Sequence, residues 1–543
     1  MHFGEPARGA ALTGFDFSRI VRALLSTTLS PPWTRRDTGL ALLLFAATVA
    51  YVAAWPRSLG LADESYFLYE AERIRTGEVM YRDFFQFVTP LPWYVMGLAF
   101  RLFGTQVWTA RLVMAAVHGA IALLIYAAAR GAGARRGLAL VGAASAPALA
   151  FSIWPIASPH WFATAGCMLL LWAALRVPWS ERPATAAVLG GLVALLVVTQ
   201  QQKGVVFGAG SALLVGLDAL GEARDRLPGW LGRGAQRCLW LAIGFAVVFL
   251  PCAALVLLGA GVDPVYDALV RYPLQEYNAK RAPMPWAGFG ALTLQLPAYT
   301  WPAVLRGLPW AFAVPLAAAL WELVRGQRRR ALRCDLAIGV LGATAIFSIW
   351  YYPDAVHVAF ILPLAAVAAA ASVERLLAAL PARPGAAVGL GLTAVGLAAL
   401  APPLWRHQAM AHAAYPLEHD TAFGRLRFAQ PTEVALVDAL RQRLDAGGDR
   451  ALFAYNLAAP YLLAGAHNPT RYQHLSPRFH RRERLEETAA RLQEQPPPYV
   501  VVLLLSYDTV NDPLAKWIGE HYDVVPYAPQ LTSMLLLARR DPP

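Results

Sequence analysis

Long apolar stretches separated by short polar turns run through the first three quarters of the chain, near residues 38–56, 107–129, 137–154, 160–176, 184–200, 203–220, 236–259, 308–324, 335–351, 355–373 and 384–403. Each is about 17 to 25 residues long, the length of a helix that crosses a ~30 Å hydrocarbon core. The pattern predicts a polytopic α-helical membrane protein with about eleven spans, and about thirteen at most. Segment 90–103 has an apolar run of only about fourteen residues, which suits a helix lying in the interface better than one crossing it. Beyond residue 403 the pattern changes. Apolar runs at 451–455, 499–505 and 533–538 have strand length, while 431–444 and 481–493 read as helices, so residues 404–543 are expected to form a small α/β domain.

Composition agrees with a membrane solvent. The chain has 543 residues, 57% of them hydrophobic and only 15% charged, with a mean hydropathy of +0.42; an ordinary soluble protein is about 25% charged. Its four cysteines, Cys167, Cys238, Cys252 and Cys334, lie in or beside apolar stretches without a C-x-x-C pair, which supports neither a zinc site nor a disulfide framework. A net charge of +12 on a soluble domain would suggest nucleic acid, but here the charge follows the membrane. Basic residues cluster in the turns near 130, 180, 230, 330 and 380 and in the N-terminal segment 1–37. Lys and Arg near span ends stay cytoplasmic. That rule puts segment 1–37 inside, the long loops 57–106 and 260–307 outside, and residues 404–543 outside as well, in a cell inner (plasma) membrane. No nucleic-acid partner is expected.

The first outer loop carries the most concentrated chemistry. Asp63 and Glu64 follow a span end closely and lead into a helix-like stretch that stops at Gly77. An acidic pair at a membrane boundary is costly unless partnered or wetted, which invites a functional account. Asp63 as an N-cap, with Glu64 in the first turn, is the structural account. On these residues alone both stand. The whole loop, with Asp63, Glu64, Tyr66, Gly77, Tyr81, Asp83, Pro90, Pro92 and Tyr94, followed by Gly104 to Arg111, resembles the polytopic glycosyltransferases of the GT-C fold. The branch resembled contains the protein O-mannosyltransferases and the aminoarabinose transferase of lipid A. The resemblance is strongest over residues 55–130, extends by span pattern to about residue 403 and is absent beyond.

This resemblance implies a glycosyltransferase that moves a sugar from a polyprenyl-phosphate carrier to an unidentified acceptor (glycan, lipid or protein) at the outer face, with inversion and no covalent intermediate. A positioned carboxylate suits removal of the acceptor proton, which makes Asp63 the expected general base. Glu64 and Asp83 are secondary candidates that orient the base or the acceptor, and Tyr66 and Tyr81 belong to the substrate-binding set. The leaving phosphate needs cations. Of only three lysines beside 44 arginines, Lys203 and Lys280 fall on the predicted outer face. Lys203, in TQQQKG, resembles the family's T-K-G turn near the carrier, although a lysine at a span end also snorkels with no further role. Lys280 and Arg281 are phosphate candidates for which a solvated face is the competing account. Asp354 and His357 resemble the family's D-x-x-H segment ahead of a proline-containing helix.

One departure stands out. Where relatives carry a second Asp after the third span, this chain has Ser158, Pro159, His160 and Trp161, so His160 is taken as a substitute partner. Asp63, Glu64 and His160 make a poor cage for a hard cation, so no metal site is assigned, although some GT-C enzymes need a divalent cation. The C-terminal histidines, among them His474 and His480, read as surface residues, and Trp93 is reserved for sugar stacking. Two other functions compete: a transporter or flippase of lipid-linked or small substrates, and a non-catalytic relative that binds an envelope partner. A transporter would favour ionisable residues at mid-membrane and inverted repeats, and neither is evident.

Overall fold

The computed structural model describes residues 33–60, 63–222, 227–277, 284–288, 302–325, 330–378, 380–477, 479–504, 507–508, 512–528 and 533–540. It is a bundle of long helices with a small sheet domain seated on one end. In chain order the bundle comprises α1 (Arg35–Ala53), α2 (Asp63–Arg75), α3 (Leu91–Phe103), α4 (Val107–Gly131), α5 (Arg136–Ser145), α6 (Pro159–Arg176), α7 (Ala186–Thr199) and α8 (Gln201–Glu222). It continues with α9 (Leu227–Ala260), α10 (Ala313–Arg325), α11 (Arg330–Ile349), α12 (Ala355–Ala378) and α13 (Ala382–Ala414). Among the described residues, seven helical stretches are long and apolar enough to cross a membrane: those of α1, α4, α5 with its continuation to Ile153, α9, Pro302–Val324, α12 and α13. The other apolar stretches of the sequence also fall on helices, α6, α7, α8 and α11. α12 is the most deeply buried of the seven, whereas α9 turns Leu250, Leu255 and Leu258 outward to where lipid would lie.

Segment 90–103 forms the 13-residue helix α3, too short to span. It packs on α2 through Gly97, where an added Cβ would lie 3.0 Å from the Ala71 carbonyl oxygen, and it exposes Leu98, Leu102 and Phe103 on its other side. α5 loses its α-helical ladder at Ala146–Ala150, around Pro147, and passes through a 3₁₀ turn at Phe151–Ile153 into the loop before α6. α13 runs to Ala414, eleven residues past the expected span end at 403 and through Pro402 and Pro403. Contacts with α1 hold the extension: the Tyr51 hydroxyl donates to the Leu404 carbonyl (3.3 Å) and the Gln408 amide to the Tyr51 carbonyl (2.6 Å).

The two ends of the bundle differ. At one end the basic turns close on acids, the innermost of which, Asp37, is buried. Arg130 and Arg136 pair with Asp37 at 3.0 and 3.1 Å, Arg135 with Glu374 at 2.9 Å, and Arg333 with Glu181 at 2.8 Å. At the other end lie α2, α3 and the C-terminal domain.

In that domain β1 (Leu417–Thr421) and β2 (Gly424–Phe428) form a hairpin whose turn residue Phe423 accepts the Val107 N–H (2.9 Å) at the start of α4. A four-stranded sheet has the order β3 (Leu452–Tyr455), β4 (Tyr499–Leu503), β6 (Met534–Arg539), β5 (Tyr522–Val524). β3 and β4 are parallel and the other pairs antiparallel, with Val501 opposite Leu536. Helices α14 (Pro431–Gly447), α15 (Ala459–Ala464), α16 (Arg482–Glu494) and α17 (Pro513–His521) complete it.

Candidate functional site

Three helix starts converge beneath the C-terminal domain. At the start of α6 the Ser158 hydroxyl caps the His160 N–H, and the His160 ring stacks on Phe360 of α12 with centroids 4.8 Å apart. The Gln200 amide donates to His160 Nδ1 at 3.1 Å from just before α8. At the start of α12, Asp354 Oδ1 accepts both the His357 backbone N–H and its ring Nδ1–H at 2.7 Å. The two imidazoles stand edge to face, 5.6 Å apart.

Lys203, in the first turn of α8, puts its Nζ 5.1 Å from the centre of the Phe360 ring. Its side chain is 3% exposed, and its Nζ has no hydrogen-bond partner. The following residue explains how it gets there. A Cβ on Gly204 would overlap the backbone of Val197, so only glycine lets α8 begin tightly against the end of α7. A buried ammonium without acceptors, set over the ring on which both imidazoles also pack and in the first turn of one of the three helix starts, is an arrangement that waits for an anion.

Asp63 and Glu64 open α2 beside this cradle. Glu64 is fully buried and committed: it takes the Gly60 N–H (2.9 Å), the Ala157 N–H (2.6 Å) and an ion pair from Arg111 of α4. The Ala157 bond ties the start of α2 to the loop that enters α6, three residues before His160. Glu64 is therefore an anchor and has no lone pair aimed at a substrate. Asp63, in the same first turn, is exposed, and its charge acts on the phenol of Tyr66. Burial first, then the Asp63 and Glu70 charges, push Tyr66 well above the ordinary tyrosine range, so it is a neutral hydroxyl at physiological pH.

The remaining loop candidates are structural. Tyr81 sits at φ 72°, buried, with its hydroxyl donating to the Val88 carbonyl at 2.8 Å. Asp83 accepts the Val79 N–H at 2.7 Å and pairs with Arg82 at 2.9 Å; the Arg82 bond, aided by the Val79 bond, holds its carboxyl below the usual carboxylate range against partial burial. Trp93 is 2% exposed and donates its indole N–H to Glu70 at 2.6 Å, so no sugar face can reach it. Lys280 and Arg281 lie outside the described residues. Among the described residues no group of three or more His, Cys, Asp or Glu could hold a metal ion.

The C-terminal domain contributes what sequence reasoning missed. His474 meets Tyr66 edge to face at 5.4 Å and His480 at 5.5 Å, and His480 packs on Tyr272 at 5.1 Å. These two are inward residues of the domain, in place of the surface histidines expected. Burial pushes His474 down to about 4, which keeps it a neutral partner. Next to it, Gln473 is 2% exposed with neither amide atom hydrogen bonded. The loop is pinned by the Tyr69 hydroxyl, which accepts the Asn468 N–H (2.7 Å), and by Arg73, which donates to the Thr470 carbonyl (3.1 Å). Arg484 locks α16 to residues 262–277 through Asp267 (2.8 Å) and Glu276 (3.1 Å). No sequence motif marks these residues, because their partners lie hundreds of positions away.

Bundle, cradle and seated sheet domain together define a polytopic membrane protein of the GT-C fold. No family model matches the chain, and no curated protein matches it by sequence. Among solved structures it is similar to ArnT from Cupriavidus metallidurans bound to undecaprenyl phosphate, with a TM-score of 0.54 and 14% identity over 93% of this chain and 98% of that one. Apo ArnT aligns at 0.50 and 15% identity, over 93% and 97%. The Archaeoglobus fulgidus oligosaccharyltransferase tethered to an acceptor peptide aligns at 0.53 and 13% identity, over 94% of this chain and 75% of that one. At such identities the likeness is one of fold.

Proposed function

We propose that this chain is a membrane glycosyltransferase that transfers a sugar from a polyprenyl-phosphate carrier to a hydroxyl-bearing acceptor, with inversion. The observation that carries this reading is the unpartnered, buried Lys203 Nζ over the Phe360 ring, on which His160 and His357 also pack. Its chemistry is that of a leaving-phosphate site, and the similar ArnT structure contains undecaprenyl phosphate. Asp63 removes the acceptor proton as the hydroxyl oxygen attacks the anomeric carbon. The anomeric carbon–phosphate oxygen bond breaks, and the phosphate keeps the electron pair in the field of Lys203 and the helix starts. The loop with Gln473 and His474 holds the acceptor, which approaches past Tyr66. In this reading the cradle faces the extracytoplasmic side of the inner (plasma) membrane and segment 1–37 the cytoplasm. On the same reading the membrane domain ends near residue 403, and the last eleven residues of α13 rise from it into the outer domain 404–543.

The test uses the purified full chain. Lys203→Met should lose undecaprenyl phosphate binding in a direct titration. Asp63→Asn should bind it normally while transfer from a polyprenyl-phosphate sugar falls by about 10²- to 10⁴-fold. Normal turnover in Asp63→Asn removes Asp63 as base. Movement of substrate across sealed vesicles without covalent transfer would replace the enzyme with a transporter.

A further inference from the structure

A cleft of about 390 Å³ opens where the end of α1 and the start of α4 meet the β1–β2 hairpin, and none of its lining residues belongs to the Lys203 cradle. Three guanidinium groups line it, those of Arg57, Arg111 and Arg427, against the single carboxylate of Glu418. Glu418 is taken by Arg427 at 2.7 Å, and Arg111 is held from behind by Glu64. Arg57 is exposed and feels Glu418 only at longer range, so the wall keeps a net positive charge. Arg111 is 6% exposed, and its Nε has no hydrogen-bond partner although it is buried. An unmade bond from a buried charged donor asks for an acceptor.

Apart from His412, the rest of the lining is apolar, and two of its larger side chains face outward. Trp108 and Leu112, one turn apart on α4, are exposed on the surface where the hydrocarbon boundary would lie, and tryptophan favours that boundary. Guanidinium groups above and an indole and a leucine below match an amphiphile with an anionic head. We propose that this cleft binds the anionic headgroup of a membrane lipid. Arg57, Arg111 and Arg427 take the anion, and Trp108 and Leu112 take the first acyl carbons. Because Arg111 also holds Glu64, the bound headgroup lies one side chain behind the start of α2.

Native mass spectrometry of the full chain, extracted from vesicles of equal phosphatidylglycerol and phosphatidylcholine, tests this. The wild type should retain phosphatidylglycerol in preference. Arg57→Glu, an exposed position that the fold does not need, should cut that retention about tenfold, and Trp108→Ala should weaken it with charge unchanged. Millimolar inorganic phosphate should leave the lipid bound. Equal retention of both lipids, unchanged retention in Arg57→Glu, or displacement by inorganic phosphate would each overturn the assignment. Lys203→Met should retain the lipid as the wild type does, so this site and the proposed transfer reaction can fail separately.

Discussion

Glu64 takes two backbone amides and the Arg111 guanidinium, while Asp63, one residue earlier on the same helix turn, stays exposed beside Tyr66. Removing one partner of a buried pair costs about 3 to 5 kcal/mol, so Glu64→Gln should lower the melting temperature in detergent sharply, and by more than Asp63→Asn does at its exposed position. Glu70 makes a second residue-level prediction. Burial pushes its carboxyl up to about 8, against the opposing bonds from Gln86 and Trp93. The folded chain therefore holds this proton more tightly than the unfolded one. Its stabilising effect is full below the ordinary value of 4.5 and is lost as pH rises toward about 8. Glu70→Gln keeps an acceptor for both donors and cannot ionise. Its melting temperature should gain on the wild type between about pH 5 and about pH 8, and a constant difference across that range would refute the assignment.

At the scale of elements, helix crossings depend on missing side chains. A Cβ on Gly190 of α7 would run into the Leu241 carbonyl of α9, and one on Gly244 into the Ala187 carbonyl, so the two backbones touch reciprocally. Small residues at such crossings are how membrane helices approach closely. Gly244→Val should abolish the folded, monodisperse species in size-exclusion chromatography, while valine at Gly216, which has open space around it, should be tolerated. Part of the C-terminal domain was legible from run length: 451–455 and 499–505 contain β3 and β4, 533–538 covers β6 but for Arg539, and 431–444 and 481–493 fall on α14 and α16, whereas the short α15, α17 and β5 were not expected. The β1–β2 hairpin was not legible, since Leu417–Thr421 and Gly424–Phe428 carry mostly polar and charged residues and are stabilised by the start of α4. The extension of α13 past Pro403 escaped for the same reason: its support comes from Tyr51 on another helix.

At the scale of the molecule, the site is shared between parts that only the fold joins. Lys203, His160 and His357 could be singled out from motif and position, and the structure brings them together around Phe360. His474, Gln473 and Arg484 could not, because nothing local distinguishes them from a solvated loop. Arg484 and Arg481 both close on Glu276, which is 2% exposed. Glu276→Ala would leave Asp267 as the one carboxylate against two guanidinium groups. It should loosen the C-terminal domain from residues 262–277, read as faster hydrogen exchange there with the bundle unchanged; unaltered exchange would mean that the Asp267 pairs and the aromatic contacts suffice to hold it. The seating also imposes an order in time. Tyr69 and its partner Asn468 are 399 positions apart, so at about 5 to 20 residues per second a ribosome needs roughly 20 to 80 s to pass from one to the other. For that interval the nascent chain carries the acid but lacks its roof, and the enclosure can close only when synthesis is nearly complete.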